Sequence, residues 1–216
     1  MHQYHKIDTV FKRDPETKHK SLIMGDYSND AFAYLAGNPW VFTEKVDGTN
    51  IRVMFNEGRV TFGGKSDDAQ IPTFLVDRLR QRFDTPEQIE RFASIFPDGG
   101  CLYGEGYGAK IQKGGGNYRQ DQDFVLFDVR VGQWWLTRPT VEDVSAKLGI
   151  DVVPIIGRGT LAEMLAMAQS GFNSQWGNFI AEGIVARPET ELVTCNGQRI
   201  ITKIKFKDFP KAALAT

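Results

Sequence analysis

The chain has 216 residues, with 26 basic and 27 acidic side chains, a net charge of −1, 41% hydrophobic residues and 25% charged residues. These are the values of an ordinary globular domain with a substantial core, and the charge balance gives no global nucleic-acid signature. No apolar stretch approaches the roughly 20 residues of a membrane span, and the N-terminus has neither the apolar core of a signal peptide nor the acid-poor composition of a transit peptide. A cytoplasmic protein without membrane contact is therefore expected.

In chain order, residues 1–20 are polar and read as loop with short strands. "NDAFAYLAG" (29–37) predicts a short helix capped by Asn29 or Asp30 and ended at Gly37. "WVFTEKV" and "NIRVMFNEGRVTFGG" predict strand, turn, strand, turn, strand, with Asp47-Gly48 and Asn56-Glu57-Gly58 as the turns. "IPTFLVDRLRQRF" is amphipathic at helical spacing. "TPEQIERFASIF" opens with Thr85 at a cap, Pro86 at the first helical position and Gln88 three residues on. "GCLYGEGYG" and "DFVLFDVRVGQWWL" read as strands joined by a flexible Gly-rich loop at 114–116. "TVEDVSAKLG" and "TLAEMLAMAQSGF" read as helices ending near Gly, and "EGIVARPE", "ELVTCNGQ" and "RIITKIKF" as a last set of strands with a turn at Asn196-Gly197. The architecture expected is α+β, with antiparallel strands dominant and helices packed outside.

Two classes of chemistry are disfavoured. Cys101 and Cys195 lack metal-ligand spacing and read as free thiols. The three histidines, His2, His5 and His19, all lie in the first twenty residues and none elsewhere, which disfavours a Ser-His-Asp or Cys-His hydrolase. Locally basic stretches stand at 78–82, 110–119 and 203–211. They are three solvated faces or, if folding gathers them, one positive cleft.

Five segments carry the remaining interest. Lys45 precedes Asp47-Gly48; Glu105 sits in "YGEGYG"; Phe124 and Phe127 lie close to Asp128; Glu182 starts a strand; Lys203 and Lys205 share a strand face, which Lys207 continues if the strand does. Each has an ordinary structural reading: a hairpin tip, a turn, core aromatics, or lysines on the solvent side of an edge strand. Together they supply an amine nucleophile, carboxylates for a divalent metal and cations for phosphate charge, which is what nucleotidyl transfer requires.

The order Lys-x-Asp-Gly-Thr-Asn, Tyr-Gly-Glu-x-Tyr-Gly, Phe-x-x-Phe-Asp, Glu-Gly-Ile-Val, Lys-x-Lys resembles the covalent nucleotidyltransferase superfamily of ATP-dependent ligases and capping enzymes. "EKVDGTN" and "YGEGYGAKIQKGGGNY" most resemble the phage-type RNA ligases of the nick-joining kind. The resemblance runs from about Lys45 to Lys205. It implies the ATP-grasp-like adenylation fold, ATP as co-substrate, and Mg2+, with Mn2+ as an alternative. It further implies that Lys45 forms a lysyl-AMP, with its amine made neutral by burial and by the cations of Lys203, Lys205 and the metal. Glu44 would help recognise adenine, Asn50 would organise metal and phosphates, and Glu105 and Glu182 would bind metal or ribose. Phe124 would stack on adenine, with Phe127 left to the core, and Lys65 would be a basic residue beyond the second strand.

The reaction implied is joining of an RNA 3′-OH to a 5′-phosphate, at a nick or a break. Thr49-Asn50 argues against a DNA ligase or guanylyltransferase, and the filled functional positions argue against a domain that only binds nucleotide or RNA. Only "FKDFPKAALAT" follows Lys205, so a single nucleotidyltransferase domain over 1–216 is expected, without the oligonucleotide-binding-fold or helical domain of relatives. Lys110, Lys113 and Arg119, or a helper protein, would then supply the grip on RNA.

Overall fold

The computed structural model describes residues 3–209. His2 and Lys211, the latter at the end of the third basic stretch, lie outside them. In chain order the elements are β1 (Asp8–Thr9), β2 (Phe11–Arg13), β3 (Leu22–Tyr27), α1 (Asp30–Tyr34), β4 (Trp40–Lys45), β5 (Thr49–Asn56), β6 (Arg59–Gly63), α2 (Thr73–Phe83), α3 (Pro86–Ile95), β7 (Gly100–Gly108), α4 (Gly115–Tyr118), β8 (Gln122–Val131), β9 (Trp134–Trp135), α5 (Arg138–Leu148), β10 (Asp151–Val152), β11 (Ile155–Gly159), α6 (Leu161–Ser170), β12 (Gly183–Pro188) and β13 (Thr202–Lys205). The expected α+β class with mainly antiparallel pairing is what the chain adopts. No helix among the described residues is long and apolar enough to cross a membrane.

The chain forms two compact units, each with its own sheet and core. The first is Asp47–Val153 with the N-terminal segment up to His5. Its sheet runs β10-β8-β7-β5-β6, with β9 paired to β8. Strand alternation divides the residues cleanly. Ile51, Val53 and Phe55 of β5, Leu102 of β7 and Phe124, Leu126 and Val129 of β8 pack against Leu75, Leu79 and Phe83 of α2, Phe92 of α3 and Val141, Val144 and Leu148 of α5. The opposite face carries Asn50, Arg52, Tyr103, Glu105 and Tyr107, since directly opposed residues share a face and Asn50 pairs with Glu105, Arg52 with Tyr103. A bulge on β8 interrupts the alternation: Tyr103 pairs with Asp128 and Gly104 with Leu126, leaving Phe127 as the extra residue.

The second unit is Lys6–Val46 with the chain from Pro154 onward. Its sheet runs β1-β13-β12-β4-β11, beside the small β2-β3 pair. Trp40 and Phe42 of β4 and Ile184 and Ala186 of β12 bury against Phe32 of α1, Leu35 at its C-terminal cap, and Leu161, Met164 and Ala168 of α6. Caps behave as the sequence implies. Asn29 Oδ1 accepts from Ala31 N at 2.8 Å, Thr85 accepts from Gln88 N, and Thr160 with Glu163 forms a reciprocal capping box.

Four expectations are corrected. The Asp47-Gly48 pair is not a hairpin turn: β4 belongs to the second unit's sheet and β5 to the first unit's, so the pair carries the chain from one sheet to the other. Gly48 is required there for space rather than for φ, because a Cβ would lie 2.3 Å from Gly106 O. The glycine run is not simply a flexible loop, since it folds into the one-turn helix α4. The stretch 190–201 makes only the Val193–Arg199 bridge before β13. Finally, β13 stops at Lys205 and a 3-10 turn follows over Phe206–Asp208, so Lys207 does not extend the lysine face.

Candidate active site

The register of the second unit's sheet aligns the lysines. Gly183 is the partner of Lys45 on one side and of Lys205 on the other. Lys45, Gly183 and Lys205 thus form one cross-strand row, and Thr43, Val185 and Lys203 the next row on the same face. A side chain at Gly183 would meet Ile204 O at 2.1 Å, so the centre of the row is held bare. Glu182, one residue before β12, fills the space above it. Its Oε2 accepts from Lys45 Nζ at 2.5 Å and its Oε1 pairs with Lys205 Nζ at 2.6 Å. All three side chains are mostly buried, between 11 and 23% exposed, so one carboxylate fixes two ammonium groups with limited solvent screening. The expected grouping of Lys45, Lys203, Lys205 and Glu182 is therefore present on one sheet face.

Glu44 is placed otherwise than expected. It lies on β4 with the parity of Trp40 and Phe42, the buried face, and is 1% exposed. Its Oε1 accepts from Ser174 Oγ at 2.6 Å and its Oε2 from Gln175 N at 2.8 Å. Ser174 Oγ also accepts from Trp176 N. Burial pushes the Glu44 carboxyl above the usual carboxylate range, against the two hydrogen bonds that pull it down. With both oxygens engaged, this carboxylate shapes the Ser174–Trp176 turn. The turn was not legible in the sequence, where "NSQWGN" shows only loop composition.

In the first unit, Asn50 and Glu105 stand opposite each other on the face away from the helices. Asn50 Oδ1 is buried and has no hydrogen-bond partner. A bare amide oxygen beside a carboxylate is a hard-oxygen donor set suited to Mg2+ or Mn2+. Among the described residues no three His, Cys, Asp or Glu side chains converge, and both Glu182 oxygens are engaged by lysines. Lys65 is exposed just past the end of β6.

The two phenylalanines lie on opposite faces of β8. Phe124 is 1% exposed, stands edge-on to Phe83 and overlies Gly104, where a Cβ would lie 2.2 Å from its ring. It is a core residue on the helix-covered face. Phe127, on the opposite face of β8, lies against Tyr4, which also contacts Tyr103 and donates to Asp128. Phe127 is therefore the ring on the face of Asn50 and Glu105. Plain alternation puts residues 124 and 127 on opposite faces of β8, but which face the helices cover is decided by tertiary packing; the bulge acts on Asp128, bringing it to the face of Phe127.

The basic stretches also sort themselves. Arg119 pairs with Asp121 at 2.5 Å and with the buried Asp123 at 2.6 Å, while Arg82 and Arg78 approach Asp123 at 3.4 and 3.8 Å. Arg80 pairs with Asp77. These arginines neutralise acids and do not form an open cationic groove. Arg119, expected on RNA, is an anchor of the loop base. Lys110 and Lys113 of the same loop are exposed and make no ion pair among the described residues.

A family model described as RNA ligase matches residues 38–205. No curated protein matches the chain by sequence. Among solved structures, an apo point mutant of the Naegleria gruberi RNA ligase superposes with a TM-score of 0.63 at 21% identity, covering 82% of this chain and 52% of that one. A mutant of the same ligase with ATP and Mn gives 0.64 at 20% identity, covering 83% and 54%. The ligase with PPi gives 0.62 at 21% identity, covering 82% and 52%. At such identity the likeness establishes the shared fold, and the chain spans about half the length of these relatives.

Proposed function

We propose that this chain, which belongs to the RNA ligase family, joins RNA 3′-OH and 5′-phosphate ends with ATP through a lysyl-AMP on Lys45. The observation that carries the reading is the row of Lys45 and Lys205 bridged by Glu182. A half-buried nucleophilic amine, a proton acceptor already in contact and a second cation for phosphate charge are the parts adenylylation needs.

The Lys45 amine attacks the α-phosphorus of ATP. A P–N bond forms, the bond from Pα to the β-bridging oxygen breaks, and pyrophosphate leaves with the electron pair. The amine proton goes to Glu182 Oε2, its hydrogen-bond partner, and from there to solvent. Lys205 and Lys203 offset the charge developing on the phosphates. Asn50 Oδ1 and Glu105 would hold a divalent cation, which neutralises triphosphate charge when bound. Phe127, rather than Phe124, offers a ring to the adenine. AMP then passes to the RNA 5′-phosphate, breaking the P–N bond. The 3′-OH attacks that phosphate and AMP departs.

Lys110 and Lys113, exposed on the loop between β7 and β8, supply unpaired positive charge for the RNA backbone. The test is sealing of a 5′-labelled nicked RNA duplex, and of single-stranded RNA, with ATP and Mg2+. The reading expects ligated product from the wild type and none from Lys45→Ala. Absence of product and of adenylylated RNA from both substrates would refute it.

A further inference from the structure

The loop between β7 and β8 touches the chain just after the nucleophile. Asp47 N donates to Tyr118 Oη at 3.2 Å, and Gln112 Nε2 donates to Gly48 O at 3.0 Å. Two side chains of one loop thus hold consecutive residues of the segment that leaves β4. On its other side the same segment is wedged against β7: a Cβ on Gly48 would meet Gly106 O at 2.3 Å and Glu105 Cγ at 2.8 Å.

The loop is built to be stiff. Ala109 N donates to both Arg119 O and Asp121 O at 3.1 Å, closing its base. Arg119 is pinned by Asp121 and Asp123, with Arg78 and Arg82 behind. Gly115 of α4 sits so close to β7 that a Cβ would lie 1.9 Å from Gly108 O. Tyr118 is buried against the Tyr107 ring. None of this is needed merely to connect two antiparallel strands, which a tight turn does.

We propose that Tyr118 and Gln112 are positioning residues for adenylylation, fixing Asp47 and Gly48 so that Lys45, two residues upstream, is held in line for attack. The proposal rests on the reading of Lys45 as nucleophile. Small displacements of a reacting group cost large factors in rate, about 10²-fold for roughly 1 Å. Neither residue needs to touch ATP, so the effect falls on the rate of the step and not on nucleotide affinity.

The experiment measures single-turnover transfer of label from α-labelled ATP to the wild type, Tyr118→Phe, Gln112→Met and the double variant, with amide exchange across residues 46–49 in parallel. Gln120→Met is the control, because Gln120 bonds only to Gly116 O within the loop. The expected result is a maximal rate lowered about 10-fold or more in each single variant, an unchanged ATP concentration at half-maximal rate, faster exchange at Asp47 in Tyr118→Phe, and a normal control. Wild-type rates in both variants, an effect confined to ATP affinity, or equal slowing in the control would overturn the proposal while leaving Lys45 as nucleophile. A wild type that takes no label instead overturns the reading beneath it, and exchange at 46–49 unaltered by either variant shows the anchors idle.

Discussion

Lys45 Nζ and Glu182 Oε2 are 2.5 Å apart, and the register that sets this distance also places Lys205 on the other oxygen of the same carboxylate. Under the proposed reading, Lys45 is held as half of an ion pair that must part before its amine can attack. Glu182→Gln removes the proton acceptor and one charge, leaving two lysines facing each other. Adenylylation is expected to fall by about 10²-fold or more, and Lys205→Ala by a comparable factor. The check is label incorporated per minute at saturating ATP, with circular dichroism confirming the fold.

The two phenylalanines give a paired prediction. Phe124→Ala empties a core position and is expected to lower stability by about 3–5 kcal/mol, with little specific effect on ATP in the fraction that remains folded. Phe127→Ala is expected to leave the urea midpoint nearly unchanged and to raise the KM for ATP about 3–10-fold, the scale of a lost stacking contact. Unfolding curves and adenylylation kinetics on the two proteins separate the roles.

Glu44 makes stability depend on pH in a stated direction. Burial raises its carboxyl pKa above 4.5, so its contribution favours the fold at low pH and is lost as pH rises through the folded-state value. Glu44→Gln removes that loss. Its urea midpoint, relative to wild type, should therefore improve from about pH 4 to about pH 8, even as the weakened Ser174–Trp176 turn reduces activity. A gap that is constant with pH, or that closes, would show that the carboxylate is not desolvated as its surroundings imply.

Lys110 and Lys113 are separable from Arg119. Replacing both lysines by Ala is expected to reduce the magnitude of the salt slope of RNA binding by about 0.7–0.9 per residue, with stability unchanged. Arg119→Ala breaks the pairs to Asp121 and to buried Asp123 and is expected to lower the melting temperature. Filter binding across a salt series, beside thermal melts, distinguishes the two outcomes.

Local signals were legible where a single residue type decides the geometry. Thr85-Pro86 with Gln88, and Gly149 in the left-handed region, mark helix ends that the structure adopts. The alternating Lys203 and Lys205 fixed a common face without any knowledge of partners. What depended on pairing was hidden. Asp47-Gly48 has the composition of a hairpin, and only the choice of different sheets for β4 and β5 makes it a crossover. Alternation puts the rings of Phe124 and Phe127 on opposite faces, but nothing in "DFVLFDV" says which face the helices cover. Glu44 reads only as the residue before Lys45, yet strand parity turns it inward to Ser174. Each of these is a long-range decision, and a local window of sequence does not contain it.

The most direct measurement is incubation of the purified protein with Mg2+ and α-labelled ATP, beside Lys45→Ala, followed by a denaturing gel. The account predicts label that stays with the wild-type chain and is absent from Lys45→Ala. No label on the wild type, or equal label on Lys45→Ala, would contradict it.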